Sequence, residues 1–341
     1  MLPHLTICYF TSRKNPCLQW FLDSLRRELG GSDQPGVKVL IVDFWRDQRA
    51  AWIAEGHQPS MAFLPEEDGL AFTHVSPKPS VWQGKHRLTK ADYFAAANAR
   101  NTALCLAPDG WIAFVDDLSV LLPGWFDRVR AAMAGGYIVC GAYRKVKNLV
   151  VSNGNVESFE DFPPGHDHRF AKGSDTEALP CAAEWTYGCS LAGPVEAFLQ
   201  TNGYASICDS LGYEDCPQGL MMQRNGWTPR YDRRMLSYES EELHAQLPRF
   251  HREDPCKGDP NAKPRDDKSH AMLRILSGGS HPGYWDDGGI RALRQKILAG
   301  EPFPIVKHPE HDWFTGVPLK DMPIGHEAEI PLPYYDSNHS P

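Results

Sequence analysis

No two of the nine cysteines are spaced as CxxC, so neither a zinc knuckle nor a thioredoxin-type redox pair is encoded. Cys8, Cys105 and Cys140 lie inside apolar runs, as reduced buried thiols do, and no disulfide framework is expected. No apolar run approaches the roughly 20 residues of a membrane span. No basic leader or cleavage site precedes the first apolar segment. A soluble, cytoplasmic protein without a membrane span is therefore expected. An excess of positive charge is also missing: 35 basic residues face 43 acidic ones, for a net charge of −8. That excludes a polycation, and a nucleic-acid partner would need a local basic patch. Arg144, Lys145 and Lys147, or Arg224, Arg230, Arg233 and Arg234, are the candidates, with a solvated face as the ordinary alternative. The chain has no internal repeat and no GxGxxG, and Gly212–Tyr213–Glu214–Asp215 is not a phosphate loop.

What is present is an ordinary globular composition, 42% hydrophobic and 23% charged, in 341 residues, enough for one large domain or two. Leu5–Phe10 and Val37–Val42 are nearly continuous apolar runs, as parallel strands buried on both faces are. Between them Leu18, Phe21, Leu22, Leu25 and Leu29 recur at helical spacing until Gly30–Gly31 stops the helix. The alternation continues with a strand at 72–75, a helix from Thr89 or Lys90 through Ala107, and a strand at Trp111–Val115. A helix at 125–133 and a strand at 137–143 follow. This order predicts an α/β fold with a mainly parallel sheet flanked by helices. Residues 148–182 lose periodicity and are expected to form an irregular loop. Order returns at 184–193, and a helix is expected over 213–225. The main domain is placed at residues 1–245. Residues 246–341, with helices expected at 266–277 and 289–299, are read as a carboxyl-terminal extension packed on it.

Polar residues fall where such a sheet binds ligands, at the carboxyl ends of its strands. Thr11–Ser12–Arg13 follows the first strand, Asp43 ends the second, and Asp116–Asp117 end the fourth. Adjacent carboxylates suit a divalent cation bound in turn to phosphate oxygens; the plainer alternative is an acidic turn or helix cap. Asp43 has the chemistry to accept a base N–H, and Arg13 or Arg100 to balance phosphate charge.

Over residues 5–235 the chain resembles family-2 glycosyltransferases of the GT-A (Rossmann-like) fold. The likeness rests on Asp43, on Ala97–Asn98–Ala99–Arg100–Asn101, on Phe114–Val115–Asp116–Asp117–Leu118–Ser119 through Pro123–Gly124–Trp125, and on Gly212–Tyr213–Glu214–Asp215. It implies an inverting transferase with a UDP-sugar donor and a divalent cofactor, Mn or Mg. Position by position, Asp43 would hold the base and Arg100 would lie near the nucleotide. Asp116 and Asp117 would touch ribose and metal, and Asp215 would be the general base with Glu214 beside it. Trp185, Tyr187 and Gly188 would build the donor-sugar and acceptor wall. The second aspartate of the family's DxD falls on Leu118, so either Asp117 takes the metal by a small shift or metal dependence is weakened. The third ligand is open among His244, His251 and His270.

The opening segment (Thr6–Arg13, then Trp20–Leu25) and Asp116–Asp117–Leu118–Ser119 look similar to phage-type, TET-associated glycosyltransferases. That implies 5-hydroxymethylcytosine in DNA as acceptor, with the arginine clusters and exposed aromatics such as Trp82, Trp185 and Trp285 following the strand. The alternatives are a saccharide or lipid acceptor, a carboxylate-pair glycoside hydrolase, or a non-catalytic nucleotide-sugar binder. The oligomeric state is left open.

Overall fold

A computed structural model describes residues 3–13, 16–31, 34, 36–55, 70, 72–90, 93, 95–209, 214–241, 289–305, 310–311 and 318–322. Among these residues the centre is a sheet of ten described strands in the order β3-β2-β1-β4-β9-β6-β10-β5, with β7 added on β6 and β8 on β10. The expected half comes first. β1 (Leu5–Thr11), β2 (Val37–Asp43), β3 (Phe72–Val75) and β4 (Trp111–Val115) pair in parallel, and every residue of β1 and β4 is buried. The apolar runs reflect helices on both faces. α1 (Leu18–Glu28) lays Leu18, Phe21, Leu22 and Leu25 on one side, and Gly30 and Gly31 end it with positive φ.

Beyond β4 the sheet is mixed. β9 (Ser190–Pro194) runs antiparallel to both β4 and β6 (Val139–Ser152). β10 (Arg230–Ser240) then pairs parallel to β6 and antiparallel to the short β5 (Ser119–Leu121). The segment expected to be an irregular loop is largely ordered: β6 runs to Ser152, turns at Asn153–Gly154, and returns as β7 (Asn155–His166). Its polar composition belongs to a hairpin with one exposed face. β8 (Leu179–Pro180) lies against β10.

Helix limits also differ from the sequence reading, for a reason that lies far along the chain. α3 starts at Ala96 (Ala96–Leu106) instead of residue 89 or 90 because its first free amides are capped from a distance. Asp209 Oδ1 accepts from Ala97 N (2.9 Å) and Asn98 N (3.3 Å). α4 (Trp125–Gly135) is capped by Glu28, whose carboxylate accepts from Gly124 N and Phe126 N. The remaining helices are α2 (Arg46–Ala54), α5 (Val195–Gln200), α6 (Asp215–Arg224) and α7 (Gly289–Leu298). The helix expected at 266–277 lies outside the described residues.

From the carboxyl-terminal stretch, Ile290, Leu293, Leu319 and Met322 join the same core cluster as α3 and β4. Arg294 ties α7 to the Ala107 carbonyl and to Asp109, each at 2.8 Å. No described helix is long and apolar enough to cross a membrane.

Candidate active site

The carboxyl ends of the parallel strands meet as their residue types suggested. Thr11 is in register with Asp43 across β1 and β2, and Tyr9 with Val115 across β1 and β4. Asp117 therefore emerges beside Thr11. The Thr11 hydroxyl donates to Asp117 Oδ2 (2.7 Å), and Arg13 Nε donates to Oδ1 (3.1 Å). Leu118 then reverses the chain at φ 61°, buried, with its N–H on the Pro16 carbonyl (3.1 Å). A buried leucine in the left-handed region is strained, and such strain gathers at functional sites. Here it turns the backbone from β4 into β5 and leaves Asp116 and Asp117 at the bend.

Behind the bend lies Arg100, on α3 and 2% exposed. Its guanidinium pairs with Glu214 and, at 3.2 Å, with Asp116, and it stacks on Phe10 and Tyr204. Burial pushes the Glu214 carboxyl up, against the pull of Arg100. Glu214 is thus the buried anchor of Arg100, while Asp215, at the start of α6, faces outward. Asp215 Oδ2 accepts from Gly188 N (3.1 Å) and Oδ1 from Cys216 N (2.8 Å). Gly188 has to be glycine, because a Cβ there would sit inside the Arg100 guanidinium.

These elements enclose a cleft of about 210 Å³ lined by Ser12, Arg13, Asp116, Asp117, Tyr187, Gly188 and Asp215. Five further residues on its wall escaped the sequence reading as site residues: Phe10, Tyr143, Lys145, Cys189 and Glu239. Lys145, from the basic patch at 144–147, pairs with Glu241 at 3.0 Å. Glu239 stands in register with Ser119 on β5 and Lys145 on β6. It is 8% exposed, and its Oε1 has no hydrogen-bond partner. Burial, then the neighbouring Asp116 and Asp117, push its carboxyl up to about 8 despite Lys145. Nothing in the local sequence marked Glu239, since its surroundings come from two other strands.

Other expected residues are placed elsewhere. Asp43 is wholly buried beneath the cleft, accepting from Arg49 Nε (2.6 Å) and Trp45 N (2.9 Å), with His74 Nε2 at 3.0 Å. Arg49 also donates to the Arg13 carbonyl (2.7 Å), and Trp45 Nε1 to that of Ser12 (3.0 Å). This layer holds the 11–13 turn from below. Trp185 is outside the cleft lining; it packs edge-on to Tyr231 and lines a neighbouring cavity with Lys172 and Cys181. Trp82, expected to be exposed, is 1% exposed in the core beside Tyr93.

His244, His251, His270 and Trp285 lie outside the described residues. Among the described residues no three histidine, cysteine, aspartate or glutamate side chains are grouped closely enough to hold a metal as they stand. Much of the basic clusters is already paired: Arg144 with Asp161, Arg233 with Asp175, and Arg234 with Asp232.

No family model matches the chain. No curated protein matches it either. Among solved structures it is similar to S. aureus TarS 1-349 in complex with UDP-GlcNAc, at 13% identity and a TM-score of 0.48, covering 87% of this chain and 71% of that one. It is similar to the mannosyltransferase PcManGT from Pyrobaculum calidifontis in complex with GDP-Man and Mn2+, at 16% identity and 0.43, over 89% and 76%. It is also similar to GalNAc-T7 with UDP, GalNAc and Mn2+, at 10% identity and 0.48, over 89% and 59%. At these levels of similarity the function has to come from the chain's own residues.

Proposed function

We propose that this chain is an inverting glycosyltransferase that moves a sugar from a nucleoside-diphosphate donor, of the uridine type by resemblance, to an acceptor hydroxyl. The observation that carries the reading is the meeting of Asp116, Asp117 and Asp215 around one cleft walled by Arg13 and Lys145. Asp215 is the general base. It takes the proton of the acceptor hydroxyl as that oxygen attacks the anomeric carbon, and the nucleoside diphosphate departs from the opposite face. One displacement from one side inverts the centre. Its backbone bonds to Gly188 and Cys216 fix the carboxylate before substrate arrives.

The cleft wall carries Asp116, Asp117 and Asp215, and the raised carboxyl of Glu239, against two cations (Arg13 and Lys145). That balance repels a diphosphate, and an all-oxygen donor set suits magnesium or manganese. Asp116 and Asp117 would hold the cation, which when bound supplies neutralisation of the charge that grows on the leaving diphosphate. Arg13 and Lys145 add to the same neutralisation. Arg100 keeps Asp116 in place, and the Asp43–Arg49 layer keeps Arg13 in place.

For the acceptor, the phage-type resemblance suggests the hydroxymethyl group of 5-hydroxymethylcytosine in DNA, with a saccharide as the alternative. The test is a thermal-shift screen of nucleotide sugars with and without manganese, followed by transfer to hydroxymethylated DNA and to simple saccharides. A donor that fits raises the melting point by mass action. Asp215→Asn should abolish turnover and keep donor binding. Unchanged turnover in that variant, or free sugar as the sole product, would overturn the proposal.

A further inference from the structure

We propose that Glu239 is the third carboxylate of a divalent-cation site shared with Asp116 and Asp117, supplying the acidic side chain that Leu118 lacks. The assignment deepens the donor-site reading of the same cleft and rests on it only for the cation's purpose. Its first support is an unsatisfied atom. Glu239 lines the cleft, 8% exposed, and its buried Oε1 has no hydrogen-bond partner. A buried oxygen left so is costly unless something binds it, and native structures rarely keep one without cause.

The neighbours that ought to satisfy it do not. Ser119 stands directly across β5, where paired side chains share a face. Yet its hydroxyl is itself unpartnered. Lys145, the row's cation, pairs with Glu241 at 3.0 Å.

The second support is the charge and type of the surrounding groups. Asp116 and Asp117 both bear on Glu239 through their like charge. Among the described residues the three do not stand as a ready-made ligand cluster, so the site as proposed forms when the dication draws them together. Asp117 is held by Thr11 and Arg13, one on each oxygen, so part of its acceptor capacity is already taken. A third carboxylate would replace one of the waters that otherwise complete the cation's shell of oxygens. Glu239 adds an oxygen from β10, the strand paired with β5 just beyond the Asp116–Asp117 bend. None of the described cleft residues offers a nitrogen or sulfur ligand better suited to a softer metal than Mg2+ or Mn2+, apart from the buried Cys189.

The experiment is manganese binding by the full chain, read from the electron paramagnetic resonance of free Mn2+, for wild type, Glu239→Gln and Glu241→Gln. Glu239→Gln should weaken Mn2+ binding at least tenfold, while Glu241→Gln stays within about twofold of wild type, the first figure following the usual cost of disturbing metal ligation. Uridine diphosphate binding without manganese should not weaken in Glu239→Gln, since the change removes an acidic group from the cleft wall. On the unaltered chain, Mn2+ should broaden the carboxyl carbon signal of Glu239 together with those of Asp116 and Asp117, a measurement that requires no folded variant. Wild-type affinity for Mn2+ in Glu239→Gln, an unbroadened Glu239 signal, or no Mn2+ uptake by wild type would each overturn the assignment. Wild type that takes up Mn2+ but no uridine diphosphate would fell the donor reading and leave the Glu239 site standing.

Discussion

Arg100→Met removes the guanidinium that holds the back of the site and keeps most of the side chain's stem. In the native chain this group is 2% exposed, pairs with Glu214 and Asp116, and stacks on Phe10 and Tyr204. Asp116, with its side chain 35% exposed, turns to water after the change. Glu214, 6% exposed, has no such recourse and is left as a buried charge without its cation. Removing one member of a buried pair costs about 3–5 kcal/mol. A second change, Glu214→Gln, removes the stranded charge, so Arg100→Met/Glu214→Gln should recover most of that loss.

The effect has a definite pH sign. Burial already pushes the Glu214 carboxyl up from its ordinary 4.5, and Arg100 is the largest opposing influence. Without Arg100 the folded value rises further. An acid whose folded value lies above its unfolded one contributes stability that is full below the unfolded value and is lost as pH climbs toward the folded one. The single variant should therefore be penalised least near pH 4.5 and most at neutral pH, and the double variant should lose that slope. Urea unfolding followed by tryptophan fluorescence measures both. A double variant no more stable than the single one, or a penalty that does not change with pH, would refute the reasoning.

Gly219→Ala should cost about 1–3 kcal/mol by overpacking, because its Cβ would strike the Ala183 carbonyl and the Thr186 hydroxyl where α6 packs on the 183–185 turn; a thermal melt checks it. Gly188→Ala should push Arg100 off Asp116 and Glu214 and weaken nucleotide binding by an order of magnitude or more, read by calorimetry. Arg49→Met strands Asp43 and frees the Arg13 carbonyl, so the donor KM should rise with kcat little changed, and Arg49→Lys should restore part of it. In metal-free buffer, Glu239→Gln should raise the melting point near pH 8 and leave it unchanged near pH 4.5. The wild-type Glu239, facing Asp116, Asp117, Glu241 and Lys145, has a folded value of about 8, so its contribution is lost across that interval. Equal melting points at both pH values would contradict this.

The chain by itself determined the local half of this protein. Apolar runs fixed β1, β2 and β4, the spacing of Leu18, Phe21, Leu22 and Leu25 fixed α1, and Asp116–Asp117 stood out because a buried strand stopped there. Periodicity and strand ends are properties of neighbouring residues, so one sequence suffices to see them.

Tertiary structure decided the rest. β5 finds β10 more than a hundred residues away, and polar residues 148–166 become a hairpin through pairing rather than propensity. Asp209 sets the start of α3 from 112 residues along the chain, and Arg100 meets Glu214 across 114. The same contacts turned Asp43 inward onto Arg49 and carried Trp82 into the core. They also brought Glu239 to the cleft between Ser119 and Lys145. Cross-strand registers and buried ion pairs are set by how distant segments close on one another, and no window along the sequence contains both partners.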